Sequence, residues 1–114
     1  MNRYKDTLIQ DKTLPVVHNF ITLELVRRKF ISGDDNDFEM YLYDALFEEL
    51  LLRYKFKTVI IATNYVVTKM KQHDFCDENG NRIDNVFAYF STSIKFDLKK
   101  ISGELYVDWI NNYP

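Results

Sequence analysis

The chain has 114 residues, a formal net charge of −2 and a single cysteine, Cys76. This length suits one domain, and one cysteine excludes an internal disulfide, which fits a reducing, cytoplasmic setting. The small negative charge excludes long-range attraction of nucleic acid by the whole domain, and only three Gly and two Pro argue against an all-β sandwich.

The chain opens with residues 1–14, which carry alternating charges and few apolar groups. We interpret them as a tail or the end of a linker, without the apolar segment of a secretory signal. Residues 15–114 are then expected to form a single helical domain.

A first helix is predicted from about Val16 or Thr22 to Phe30, with Gly33 as the residue that ends it. The cations at 27–29 lie in its last turn, where they complement the helix dipole. The residues at helical spacing are Val17, Phe20, Ile21, Glu24, Leu25 and Arg28.

A second helix is expected after the loop "SGDDND", with Asp35, Asn36 or Asp37 as its cap and Glu39 in its first turn. Its apolar residues cover much of its circumference, which indicates a central position. The predicted buried stripe consists of Phe38, Tyr41, Leu42, Ala45, Leu46, Glu49 and Leu50, widened by Phe47, Leu51 and Tyr54.

The segment "KFKTVIIATNYVVTKMKQHDF" can be interpreted as strand or as helix. Its β-branched residues favour a strand. However, Val59, Ala62, Val66 and Met70 fall on one helical face, with Thr63 beside them. We therefore predict a helix over about 58–72.

The turn-rich stretch "DFCDENGNRIDN" follows, with a polar turn at Asn79 and Gly80. A calcium-binding EF-hand loop centred on Gly80 would begin at Phe75 and end at Val86, where carboxylates are required. The sequence therefore predicts an ordinary loop without a metal.

The last predicted helix begins after a cap at Asp84 or Asn85 and ends at Gly103, with Lys99 and Lys100 in its final turn. Its predicted buried stripe consists of Phe87, Phe90, Ser91, Ile94, Leu98 and Ile101. The final stretch "ELYVDWINNYP" forms either one more helical turn or an irregular tail, which Trp109 anchors. The fold class is thus an all-α compact bundle of four to five helices.

Catalytic patterns are missing from the sequence. His18 and His73 have no second histidine or cysteine at zinc-ligand spacing, and one His with Cys76 does not make a zinc site. A Cys–His nucleophile pair is conceivable, but no further pattern supports it. With no glycine-rich phosphate loop and no "GxSxG" motif, we predict neither an enzyme nor a cofactor.

Two basic clusters remain as candidate surfaces. The cations at 27–29 are interpreted as a solvated helix end. In the last helix, lysines are interleaved with aromatic residues, a combination that can bind a protein partner or stack single-stranded bases. The alternative is that these lysines only keep the helix soluble. The predicted partner-binding residues are Tyr89, Lys95, Phe96, Lys99 and Lys100.

The motifs "RYKFKTVIIATNYVV" and "IDNVFAYFSTSIKFDL" resemble the DnaD-like domain of Gram-positive primosomal proteins. Tyr54 and Phe56 match its Tyr-x-Phe lead-in to an apolar helix. Tyr89 and Phe90 precede Ser93 and Ile94, and these residues fit the start of its Tyr-x-x-x-Ile-x-x-x-Trp motif. Asp97 stands where the tryptophan is expected.

The pattern "N-x-F-A-Y-F-x-T-S-I-x-x-x-L" is similar to the C-terminal domains of RepA-type plasmid replication initiators of Gram-positive bacteria, over about residues 38–102. The resemblance implies a helical module that recruits host replication proteins, such as the helicase, its loader or the primase, to a plasmid origin. Two alternatives are a single-stranded DNA-binding module and the oligomerisation domain of a mobile-element regulator.

Overall fold

The computed structural model describes residues 17–33 and 38–103. Within them the fold is all-α, as predicted, and four helices form a small bundle: α1 (Phe20–Arg27), α2 (Phe38–Leu51), α3 (Phe56–Gln72) and α4 (Val86–Ser102). The predicted tail at 1–14, the caps of α2 at 35–37 and the last segment at 104–114, which contains Trp109, lie outside the described residues.

Helix α1 is shorter than the periodicity predicted. Asn19 caps it, and the Asn19 side chain accepts a hydrogen bond from the Ile21 N–H at 2.9 Å. At the other end Lys29 adopts a left-handed conformation with φ 62°, and the Phe30 N–H donates to the Leu25 carbonyl oxygen. This bonding ends a helix, so the predictions of Phe30 as the last helical residue and Gly33 as the stop were wrong.

The segment before α1 is attached to α2 through a buried carboxylate. The Nδ1 atom of His18 donates to Asp44 Oδ2 at 2.6 Å, and the Asn19 backbone N–H donates to Asp44 Oδ1 at 2.8 Å. Asp44 is only 8% exposed. Both carboxylate oxygens thus have partners, which offsets the cost of removing the charge from water.

Helix α2 is central, as predicted, because it packs against each of the other three helices. Its predicted stripe was right at Leu46, Phe47 and Leu50, which are buried, but its centre was wrong. The face toward the core is rotated from the predicted stripe of Phe38 to Leu50 by roughly 140° at 100° per residue. Phe38 is 67% exposed, and Tyr41, Ala45 and Glu49 are also exposed. Apolar residues surround this helix, so periodicity alone could not select the buried side. The buried residues are Met40, Tyr43, Asp44, Leu46, Phe47 and Leu50.

Helices α3 and α4 form the most extensively packed pair of the bundle. The predicted helix at 58–72 is confirmed, with two further residues at its start, and its predicted face is buried at Val59, Ala62, Thr63, Val66 and Met70. Four of its β-branched residues pack into the core, which outweighs their propensity for strands: Val59, Thr63, Val66 and Val67.

The bounds of α4 follow its predicted caps. The Asn85 side chain accepts from the Ala88 N–H at 2.9 Å, and Gly103 ends the helix with φ 84°. Phe90, Ile94 and Leu98 are fully buried, as predicted. Ile101 was placed wrongly, because it extends past the core at the end of α4 and is exposed.

An aromatic cluster fills the centre of the bundle. Tyr43 of α2 lies 4.9 Å from Phe87 and 5.5 Å from Phe90, measured between ring centroids, and Phe30 lies 5.4 Å from Phe90. The Tyr43 hydroxyl is buried and has no hydrogen-bond partner in the described segments, and burial raises the pKa of this phenol. Among the helices that the structure describes, none combines the length and the hydropathy needed to cross a bilayer.

Candidate partner-binding groove between α3 and α4

A groove of about 570 Å³ lies between α3 and α4, and the loop between them closes one end. This volume is within the range of ligand-binding clefts. The lining residues are Tyr65, Val66, Lys69, Met70, His73, Cys76, Asp77, Glu78, Gly80, Tyr89, Ser93, Phe96, Asp97 and Lys100.

The two walls of the groove carry the same aromatic-x-x-x-Lys pattern. On α3, the Lys69 ammonium lies 5.8 Å from the centroid of the Tyr65 ring. On α4, the Lys100 ammonium lies 5.8 Å from the centroid of the Phe96 ring. Residues four apart share a helix face, so each lysine stays over its own ring. Because Tyr65 is 49% and Phe96 55% exposed, both rings offer apolar surface to a partner.

Asp97 also lines the groove, although it is only 7% exposed. Its Oδ2 atom is inaccessible to water and has no hydrogen-bond partner among residues 17–33 and 38–103. Burial raises the pKa of this carboxyl, while the charges of Lys100 and Lys69 act in the opposite direction. The result is a desolvated acceptor between two cationic walls.

The loop at the closed end is shaped by its own hydrogen bonds. Asp77 Oδ1 accepts from the backbone N–H groups of Asn79 and Asn81, both at 2.9 Å. Gly80 takes the left-handed conformation, φ 82°, that a tight turn requires, which confirms the predicted Asn79–Gly80 turn. The Cys76 thiol lies 3.6 Å from the Asp74 carbonyl oxygen, to which it donates.

The predicted partner-binding residues fall on two sides of α4. Tyr89, Phe96 and Lys100 line the groove and lie within an arc of about 40° at 100° per residue. Lys95 and Lys99 face roughly 100° away from that arc. The Lys95 ammonium lies 3.9 Å from Glu49 Oε2 of α2, and both side chains are well exposed, so this ion pair contributes little to stability.

One residue of the basic cluster at 27–29, Arg28, has a structural role. Arg27 forms an exposed ion pair with Glu24 of its own helix. Arg28, in contrast, joins α1 to α3, because its guanidinium donates to Asn64 Oδ1 at 2.9 Å and to Thr68 Oγ1 at 3.2 Å. Arg28 is therefore not the freely solvated end of a helix that the sequence predicted.

The α3 wall and the floor of the groove were missed as functional positions. The signal for the wall is the recurrence of one pattern, "YVVTK" at 65–69 and "FDLKK" at 96–100. The signal for the floor is an acidic residue, Asp97, on the same side of α4 as the apolar Phe90 and Ile94. Only the packed structure shows that these two segments line the same groove.

Comparison with known proteins gives no match to a family model, to a curated protein or to a solved structure.

Proposed function

We propose that this chain is a non-catalytic interaction domain in DNA replication initiation, and that it binds a host replication protein through the groove between α3 and α4. The replication role rests on the resemblance to DnaD-like domains. The groove is supported by one observation above the others: a lysine lies over an exposed aromatic ring on each of its two facing walls.

The character of the walls favours a particular kind of partner segment. Exposed rings at Tyr65 and Phe96 offer apolar contact, and aromatic residues carry much of the binding energy at protein interfaces. Lys69 and Lys100 add positive charge on both sides. We therefore expect the groove to bind a segment with an apolar or aromatic side chain flanked by carboxylates, in the cytoplasm where replication proteins act.

Single-stranded DNA is the second candidate, because lysine–aromatic pairs also suit stacked bases and phosphates. The acidic residues of the groove are less compatible with it. Asp77 and Glu78 line the closed end and Asp97 the floor, so a polyanion would meet repulsion along much of its path. The lining charges thus favour a protein over a nucleic acid.

The test compares two double variants. Phe96→Ala with Lys100→Glu changes the groove, whereas Lys95→Glu with Lys99→Glu changes the other side of α4. Each is assayed for capture of purified helicase, helicase loader and primase from a Gram-positive host, and for binding of a labelled single-stranded oligonucleotide. Both variants must first keep the wild-type melting temperature.

We expect the groove variant to lose capture of one of these proteins and the other variant to keep it. Binding of the oligonucleotide that weakens steeply with salt and disappears in the groove variant would favour the DNA-binding candidate instead. If both variants retain every interaction, or the wild type shows none, the proposed function is wrong.

A further inference from the structure

A buried acceptor without a partner lies at the floor of the groove. Asp97 is more than nine-tenths buried, and its Oδ2 atom accepts no hydrogen bond from the residues that the structure describes. An unpaired polar group away from water costs free energy, and an unpaired carboxylate costs more than a neutral group. A partner that donates a hydrogen bond to Oδ2 would recover part of this cost on binding.

The nearby charges restrict the kind of donor. Lys69 and Lys100 are the two cations that act on Asp97, and both lie over aromatic rings instead of bonding to Oδ2. With the carboxylate ionised, the three groups sum to one positive charge. Asp77 and Glu78 line the loop end of the groove and are not among the charges that shift the Asp97 pKa. Next to Oδ2 a further cation therefore meets a net positive charge, whereas a neutral N–H or O–H group is not repelled.

A donor can reach Oδ2 only after a local rearrangement, because this atom is inaccessible to water. Lys69 and Lys100 line the groove with Asp97 and are exposed, and the rotamers of exposed side chains interconvert within nanoseconds. Tyr89 and Phe96 lie on the same arc of α4 and give this wall an apolar surface, along which a side chain with a hydrogen-bond donor can enter.

We propose that Asp97 is the specificity-determining residue of the groove, where it accepts a hydrogen bond from a neutral amide or hydroxyl side chain of the docked segment. This inference rests on the proposed function, because it concerns the segment that occupies the same groove. It adds a selection rule: an aromatic or apolar group with a neutral donor binds better than the same group with no donor or with a cation.

Three small probes that share a phenyl ring isolate this rule. Benzamide carries a neutral N–H donor, methyl benzoate carries none, and benzylammonium carries a cation. Each is titrated into the ¹⁵N-labelled full chain, and the backbone amide shifts of groove residues give its dissociation constant. We expect benzamide to bind about tenfold tighter than methyl benzoate, the effect of one hydrogen bond to a charged group.

Variants at the floor test whether Asp97 causes the preference. In Asp97→Ala the ratio of the two dissociation constants should fall to about one, since the acceptor is gone. Asp97→Asn keeps the shape and a weaker, neutral acceptor, so part of the preference should remain, and it serves if the alanine variant fails to fold. Glu48→Gln, which changes an exposed carboxylate on α2 outside the groove, is the control and should leave the ratio unchanged.

Several results overturn the inference. One is equal binding of benzamide and methyl benzoate to the wild type, and another is tighter binding of benzylammonium. A third is an unchanged ratio in Asp97→Ala, and a fourth is the absence of any shift at groove residues up to the solubility limit. None of these touches the proposed function, which depends on capture of replication proteins by the wild type and its loss in the groove variant.

Discussion

Two aspartates of this bundle are buried to the same degree but differ in their surroundings. Asp44 on α2 is 8% exposed, and both of its oxygens accept hydrogen bonds, from His18 and from the Asn19 backbone. Asp97 on α4 is 7% exposed, yet its Oδ2 atom has no partner within the described part of the chain. Burial alone therefore does not tell a structural carboxylate from one that is open to a ligand; the difference lies in hydrogen bonding.

The two carboxylates also change the free energy of folding in opposite directions. A buried carboxylate that accepts from two donors holds the segments that carry those donors in place, so Asp44 attaches His18 and Asn19 to α2. A buried carboxylate with an unpaired oxygen opposes folding, so Asp97 is a cost to the isolated domain. Uncompensated costs of this kind concentrate at functional sites, where a ligand provides the missing contact.

The largest loss of stability is expected in the hydrophobic core, to which both α2 and α4 contribute. Phe90 is fully buried, with its ring centroid 5.5 Å from Tyr43 and 6.1 Å from Phe47. Replacing Phe90 with Ala should lower the free energy of unfolding by about 3–5 kcal/mol. Urea denaturation measures this, and Phe96→Ala, on the same helix but exposed, should change it by less than about 0.5 kcal/mol. Similar losses in both variants would mean that the buried face of α4 is misplaced.

Replacement of Asp44, whose two oxygens both accept hydrogen bonds, should give the next largest loss of stability. Asp44→Ala leaves the His18 ring nitrogen and the Asn19 N–H without their acceptor. We expect a loss of about 2–4 kcal/mol, because each partly buried donor without a partner costs about 1–3 kcal/mol. The measurement is again urea denaturation, with Glu48→Ala as an exposed carboxylate control on α2. A loss no larger than in the control would remove the contrast between the two aspartates.

The sequence predicted the helices better than their orientation. Periodicity predicted the buried faces of α3 and most of that of α4, because polar and apolar residues segregate there. In α2 it could not, because apolar residues lie on all sides, and Phe38 and Tyr41 face solvent. The end of α1 was mispredicted because Lys29, a residue other than glycine, takes the left-handed position.

The sequence predicted only the α4 wall of the candidate site. The pattern of α4 identified Tyr89, Phe96 and Lys100, which line the groove. The opposite wall and the status of Asp97 depend on how α3 packs against α4, and on whether a particular oxygen finds a donor. Neither property is local in sequence, so no spacing rule could supply it.

Replacement of Asp97, the carboxylate with an unpaired oxygen, should give the smallest change in stability, and this change should be an increase. Asp97→Asn removes a buried charge and keeps the shape, so we expect the free energy of unfolding at pH 7 to rise, by up to about 1 kcal/mol. Phe96→Ala again serves as the control for a change at the groove surface. The measurement is the difference in melting temperature between Asp97→Asn and the wild type.

The pH dependence of that difference is the sharper test. Burial raises the pKa of Asp97 in the folded chain above its ordinary value, against the charges of Lys100 and Lys69. As pH rises from about 3.9, the unfolded chain loses this proton first, so the wild type is progressively destabilised until the folded carboxyl also ionises. The advantage of Asp97→Asn should therefore be present at pH 7 and vanish near pH 3.5. An advantage that is absent at pH 7, or that grows on acidification, would mean that Asp97 is satisfied in solution and resembles Asp44 after all.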